Sequence, residues 1–232
     1  SPVHKRDHLL EEFQDFIRET EKIYRVLPDF KVAVADMQVF LGNLRRWMEQ
    51  VELGLRSLPA MERLDAEREV LQKLEGPIVP LIMPVMRKFE QVATEIPREL
   101  QPAHRSYIKR QLHPIVLCAP FVYRTFHKPL GYAGDYEMVS MMLRSPYEGS
   151  SIFAKLINKL YLEIPPVLAH RNRIQYLRRT LVGESERMAA KGRVAKIYNL
   201  GCGPAQEVGE FLAHETACDN TDFLLLDFND ET

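Results

Sequence analysis

This sequence has no excess of either charge. Its 31 Lys and Arg residues stand against 32 Asp and Glu, so no global field recruits nucleic acid or an anionic membrane, and a nucleic-acid contact would need a local patch. Cysteine is scarce. Cys118, Cys202 and Cys218 are far apart, odd in number and outside any CxxC spacing, which argues against a disulfide framework or a zinc site and for a reducing cytoplasm. No apolar run approaches the roughly 20 residues of a membrane-spanning helix, and the opening SPVHKRDH lacks the apolar stretch of a signal peptide. Gly-x-Ser-x-Gly does not occur, so a Ser/His/Asp triad has no recognisable elbow. Internal repeats and low-complexity tracts are also missing. What is present is 232 residues, 46% of them hydrophobic, enough for a folded protein of one large or two ordinary domains.

From Leu9 to about Gln111 there is no strand-like alternation; apolar residues recur at three and four, the spacing of helices. Leu9, Leu10, Phe13, Phe16, Ile17 and Ile23 form one stripe. Val32, Val34, Met37, Phe40, Leu41, Leu44, Trp47, Met48, Val51 and Leu55 form a longer one. Pro28-Asp29 and Ser57-Leu58-Pro59 mark breaks. A third helix is expected over Glu62 to Leu74, ending at Gly76. Pro77, Pro80 and Pro84 then each remove a backbone donor and crowd the preceding turn, which predicts a break or kink before a helix from Val85 to Glu95. Ala103 to Leu112 reads as helical up to His113-Pro114.

FHKPLGYAGDYEMVSMML, with Gly131 and Gly134, reads as an ordered loop followed by a helix from about Tyr136 to Leu143. A helix from Ser151 to Tyr161 follows, and Pro165-Pro166 opens another that runs to about Ala190. Strand patterning begins only after Gly192.

Val194 to Leu200 fits a buried strand, Gly201-Cys202-Gly203 a turn, and Pro204 to Ala213 a helix. TDFLLLDFND then supplies a second apolar strand ending at Asp227. Glycines let a ligand approach the backbone, a helix N-terminus offers unpaired N–H groups, and a carboxylate after the second strand accepts hydrogen bonds from ribose hydroxyls. Asp227 is the expected ribose ligand. A dinucleotide fingerprint would need a third glycine where Gln206 stands, which disfavours NAD. A strand–helix–strand start that binds nothing is the bland alternative.

NLGCGPA resembles motif I of the class I S-adenosylmethionine (SAM) methyltransferases. It departs from that pattern at Asn199, which replaces the usual acid and would offer an amide oxygen to the methionine half of SAM, and at Ala205, which replaces the last glycine. Three segments in order, QLHPIVLCAPFVYRTFHKPLGYAGDYEMVSMM, SIFAKLINKLYLEIPPVLAHRNRIQYL and IYNLGCGPAQEVGEFL, are similar to a bacterial methyltransferase family. That family includes the enzyme making 3-hydroxypalmitic acid methyl ester, a quorum-sensing signal. The resemblance covers roughly residues 111–232.

It implies a mostly α chain: a helical cap or substrate-binding region over 1–150, then the incomplete first β-α-β unit of a Rossmann-like SAM-binding domain over 151–232. The implied cofactor-binding residues are Asn199, Gly201, Cys202, Gly203, Pro204, Asp227 and Phe228, with Asp135 and Arg173 from upstream. Cys202 itself reads as a small filler in the turn. Tyr132 or Tyr136, in the loop that starts at Lys128, would shape the methyl-transfer pocket. Asp135 would either accept a hydrogen bond there or simply cap the next helix. Arg173, rather than its neighbours Arg171 and Asn172, is the better partner for the SAM carboxylate; surface solvation is the plain reading for most arginines of that helix.

Other patterns are weaker. His4 and His8 could share a helical face but have no third metal ligand. His113 and His127 adjoin prolines, where histidines are usually structural, although either could act as a base toward a hydroxyl acceptor. A carboxylate acceptor would need no base. The resemblance thus implies an O-methyltransferase acting on a 3-hydroxy fatty acid or similar small acid, with an acyl chain as a further contact. With only the first two strands of the family's sheet, the chain is expected to be a fragment inactive alone, unless a partner completes the sheet or the helical region holds the strands in place. The competing expectation is a non-catalytic module whose helices bind a partner or form a homodimer and whose glycine turn is vestigial.

Overall fold

The computed structural model describes residues 2–132, 134–214 and 216–229. The chain is mostly helical, with one two-stranded parallel sheet near its C-terminal end. It divides into two compact units, one formed by residues 1–118 and 150–156, the other by 119–149 and 157–232.

In the first unit, α1 (Pro2–Tyr24), α2 (Pro28–Leu55), α3 (Ala60–Thr94) and α4 (Gln101–Val116) follow one another, and α2 packs on α3 and α4. Phe30, Ala33, Val34, Met37, Leu41 and Met48 of α2 are buried; Val34, Met37, Leu41 and Met48 belong to the longer stripe read from the sequence, whose Val32 and Trp47 are exposed instead. Phe30 is the aromatic joint, its ring 5.5 Å from Phe89 and 4.8 Å from His104. His104 is buried. Its Nε2 accepts the Leu27 N–H at 3.0 Å, so the ring proton sits on Nδ1, which donates to the Leu100 carbonyl at 2.8 Å. The imidazole thereby ties the entry of α2 to the start of α4. The shorter stripe behaves otherwise: Leu10, Phe13, Phe16 and Ile17 are exposed along α1, and the side chains of His4 and Leu9 lie outside the described residues.

The expected break after Gly76 does not occur: α3 runs unbroken through Pro77, Pro80 and Pro84. All three prolines are exposed, so the carbonyls they deprive of a donor can turn to water, while Leu71 and Ile78 stay buried on the packed side. For the same reason α4 continues through the exposed Pro114 rather than stopping at His113.

The second unit begins with α5 (Pro120–His127), a helix not read from the sequence, and α6 (Tyr136–Leu143). α7 (Ile152–Tyr161) gives its residues from Ile157 onward to this unit. α8 (Pro165–Ala189) precedes β1 (Ala195–Leu200), α9 (Gln206–His214), a 3₁₀ turn at Thr216–Asn220 and β2 (Thr221–Leu226). Phe121, Met141, Met142, Leu162 and Val167 form a buried cluster. Asn158 braces it, accepting the Phe121 N–H at 2.8 Å and donating to the Pro146 carbonyl at 2.9 Å.

β1 and β2 pair in parallel from Ala195↔Thr221 to Leu200↔Leu226, with α9 between them in sequence. Parallel neighbours need such a crossover. One face of the pair is covered by α8 and α9: Ala195 is buried, and Phe211 meets Phe223 edge-on at 5.6 Å. The other face leaves Tyr198, Leu200, Leu224 and Leu226 exposed. Period-two alternation puts all four on one side.

Candidate functional site

The end of β1 turns sharply into α9. Gly201 and Gly203 take φ of 66° and 51°, and Ala205 follows at 45°, the left-handed region that only glycine enters without strain. The Gly201 and Cys202 N–H groups both donate to the Leu226 carbonyl, at 2.7 and 3.2 Å, so the turn is stitched to the last residue of β2. A Cβ added to Gly201 or Gly203 would meet nothing within 4 Å. Open space lies beside both.

Asp227, the first residue past β2, completes the turn. Its Oδ2 accepts the Gly203 N–H at 2.7 Å and its Oδ1 the Asn229 N–H at 3.0 Å. Those donors, Gly203 first, hold its carboxyl below the usual carboxylate range. Each carboxylate oxygen has more than one acceptor site, so Asp227 can fix the turn and still face a ligand.

These groups border a cleft of about 250 Å³. Asn199, Gly201, Cys202, Gly203, Pro204, Asp227 and Phe228 line it from the strand ends, Tyr132 and Tyr136 from the loop and α6, and Arg173 from α8. The Tyr132 ring packs against Phe228 with centroids 5.3 Å apart. Burial pushes the Cys202 thiol up, reinforced by Asp227 and Glu207, so the protonated thiol is favoured at neutral pH.

Asp135 is placed apart from that lining. It is buried, caps α6 by accepting the Met138 N–H at 2.8 Å, and pairs with Arg124 Nε at 2.8 Å. Arg171 is also engaged elsewhere, donating to the Met142 carbonyl at 2.7 Å and pairing with Glu163 at 3.3 Å. The His127 ring packs against Tyr123 with centroids 4.2 Å apart and meets Phe126 edge-on at 5.0 Å. His8 pairs with Glu12 at 3.3 Å.

Two polar lining residues have no part in the sequence reading, His170 and Glu207, and Gln206 enters it only as the residue in place of a third glycine. His170, Arg173, Ile174 and Leu177 all line the cleft, an i, i+3, i+4, i+7 face of α8; that spacing was the available signal once Arg173 had been chosen. Burial, then the charge of Arg173, lowers the proton affinity of His170, with Glu207 opposing, so this imidazole is neutral at pH 7. Glu207 lies in the first turn of α9, and its Oε1 accepts from Asn199 Nδ2 at 2.9 Å.

Among the described residues no helix is long and apolar enough to cross a membrane. Comparison with family models, with curated proteins and with solved structures gave no match. The chemistry of the cleft therefore carries the functional reading alone.

Proposed function

We propose that the cleft is a SAM site and that the chain carries the cofactor-binding start of a SAM-dependent O-methyltransferase with a Rossmann-like arrangement. The observation that carries this reading is the glycine turn and Asp227 joined by the Gly203 N–H, at the carboxyl ends of two parallel strands. Ligands of open α/β sheets bind at that edge. The fit is favourable on three counts: open space beside Gly201 and Gly203, an ionised Asp227 beside the turn, and an arginine in the lining. At about 250 Å³ the cleft lies just below the ~300–1,000 Å³ usual for ligand pockets, so it covers part of a nucleoside ligand rather than all of it.

When bound, SAM supplies a methyl group on a sulfonium centre. Asp227 accepts hydrogen bonds from the ribose hydroxyls, and Arg173 pairs with the carboxylate of the amino-acid head. Tyr132 and Phe228, ring against ring, cover the nucleoside and exclude water. Tyr136 and His170 border the acceptor side. If the acceptor is a carboxylate, as for a 3-hydroxy fatty acid or a similar small acid, it is already the nucleophile, and the cleft's task is to hold it in line at close range. For a hydroxyl acceptor the neutral His170 is the available base.

Titration calorimetry of this chain with SAM is the test, alongside Asp227→Ala. Binding that weakens at least tenfold in the variant supports the reading; equal binding by both proteins refutes it. Methyl-ester formation from long-chain 3-hydroxy acids tests the acceptor separately.

A second reading draws on the apolar surface of α1, where Leu10, Phe13, Phe16 and Ile17 are exposed. Faces of this kind mark interaction sites. On that reading the helices are a partner-binding or homodimerising module. Concentration-dependent sedimentation that is abolished by Phe13→Ser and Phe16→Ser, with no SAM binding, would favour it.

A further inference from the structure

Two charged side chains that line the cleft lack a full partner. Arg173 makes no ion pair or hydrogen bond among the described residues, and Glu207 uses only Oε1, on the Asn199 amide. The other carboxylate of the lining, Asp227, has both oxygens engaged by backbone N–H groups. Neutral His170 adds no second cation to the lining. The cleft thus presents one cation and one anion with an open oxygen, and the first turn of α9 is where a helix favours negative charge.

That pair has a chemical complement. An α-amino acid head carries an ammonium and a carboxylate on one carbon, whereas a bare nucleoside carries neither. The position where the resembled family usually has an acid is Asn199 here, and an amide cannot balance an ammonium. Glu207 supplies the missing charge from the next element, with its carboxylate anchored 2.9 Å from that same Asn199.

We propose that Glu207 is the ammonium-binding carboxylate of the cleft, positioned by Asn199, and that with Arg173 it selects ligands bearing a zwitterionic amino-acid head. This rests on the cleft being a SAM site. Asn199 is then a positioning residue rather than a ligand contact: its Nδ2 orients Glu207 so that Oε2 faces the ammonium. The bound form adds a charge-assisted hydrogen bond that a headless nucleoside cannot make.

The test compares two probes by calorimetry on the whole chain. S-adenosylhomocysteine has the amino-acid head; 5′-methylthioadenosine is a thioether nucleoside without it. Glu207→Gln should weaken S-adenosylhomocysteine roughly 10- to 100-fold, the effect of losing one hydrogen bond between charged groups, and leave methylthioadenosine unchanged. The double change Asn199→Asp with Glu207→Gln returns a carboxylate to the strand end and should recover most of the lost affinity. The ratio of the two affinities is the readout, because a merely structural loss would weaken both probes together.

An unchanged ratio in Glu207→Gln overturns the proposal. So does a wild-type chain that binds both probes equally, which leaves the nucleoside reading intact. A wild-type chain that binds neither removes the cofactor reading and this proposal with it. Should Glu207→Gln unfold, Glu207→Ser read by the same ratio replaces it.

Discussion

Ala205 sits in a left-handed backbone at φ 45°, directly before α9. An L residue there costs about 1–2 kcal/mol relative to its usual conformations. Ala205→Gly should therefore stabilise the chain by roughly 1 kcal/mol, read as a higher denaturant midpoint with an unchanged slope. Asp227 carries a pH dependence at the same turn. Its folded carboxyl is lowered, so the stabilisation is complete above the unfolded value near ~3.9 and fades as pH falls through the folded value beneath it. Wild type should accordingly be more stable than Asp227→Asn at neutral pH. The two melting curves should converge as pH falls through the folded value of Asp227, and a gap that stays constant as the carboxyl is titrated would contradict the assignment.

Helices are legible in the sequence where their start signal is plain and part from it where prolines intervene. α6, α7 and α8 were legible to within a residue or so because each starts at a recognisable signal, Asp135, Ser151 or Pro165. α5 was missed although Pro120 stands at its first turn; eight residues give too little periodicity to outweigh the aromatic and proline clutter around them. α3 was misread for the opposite reason. A local proline rule cannot see that Pro77, Pro80 and Pro84 all face water. Asp135 belongs to this scale as well, since it joins two helices: it caps α6 and pairs with Arg124 of α5 while only 2% exposed. Asp135→Ala removes both contacts and strands a partly buried guanidinium, so a loss of about 2–4 kcal/mol is expected. Urea denaturation measures it, and a loss under about 0.5 kcal/mol, the level of an ordinary surface change, would mean the pair is not formed.

Across the whole molecule, burial is unevenly distributed in ways that composition could not announce. Hydrophobic periodicity names a face but not what covers it. Val34, Met37, Leu41 and Met48 of the α2 stripe are buried while its Val32 and Trp47 are exposed, Leu10, Phe13, Phe16 and Ile17 of α1 are exposed, and the sheet leaves one face open. The glycine turn and Asp227 were readable because their meaning is local. That Glu207 lines the cleft depends on which elements meet, since Glu207 of α9 is bonded to Asn199 of β1 and α8 packs on both elements, and no spacing rule encodes that. The asymmetry of the sheet has a measurable sign. Phe211→Ala, at 0% exposure, should cost about 3–5 kcal/mol, while Leu200→Ser on the open face, 73% exposed, should change stability by less than about 0.5 kcal/mol. Thermal unfolding of the two variants side by side decides it; comparable losses would mean that the Tyr198, Leu200, Leu224 and Leu226 face is covered in solution.

The 2.7 Å bond from the Gly203 N–H to Asp227 also gives the cleft its own spectroscopic probe. An amide proton donating to a carboxylate resonates downfield and returns upfield when that carboxylate takes up a proton. A ¹⁵N-labelled glycine sample would therefore show one cross-peak whose position follows the ionisation of Asp227 and whose solvent-exchange rate follows the closure of the turn. A ligand that shares the Asp227 oxygens would move that peak without touching Gly203 at all.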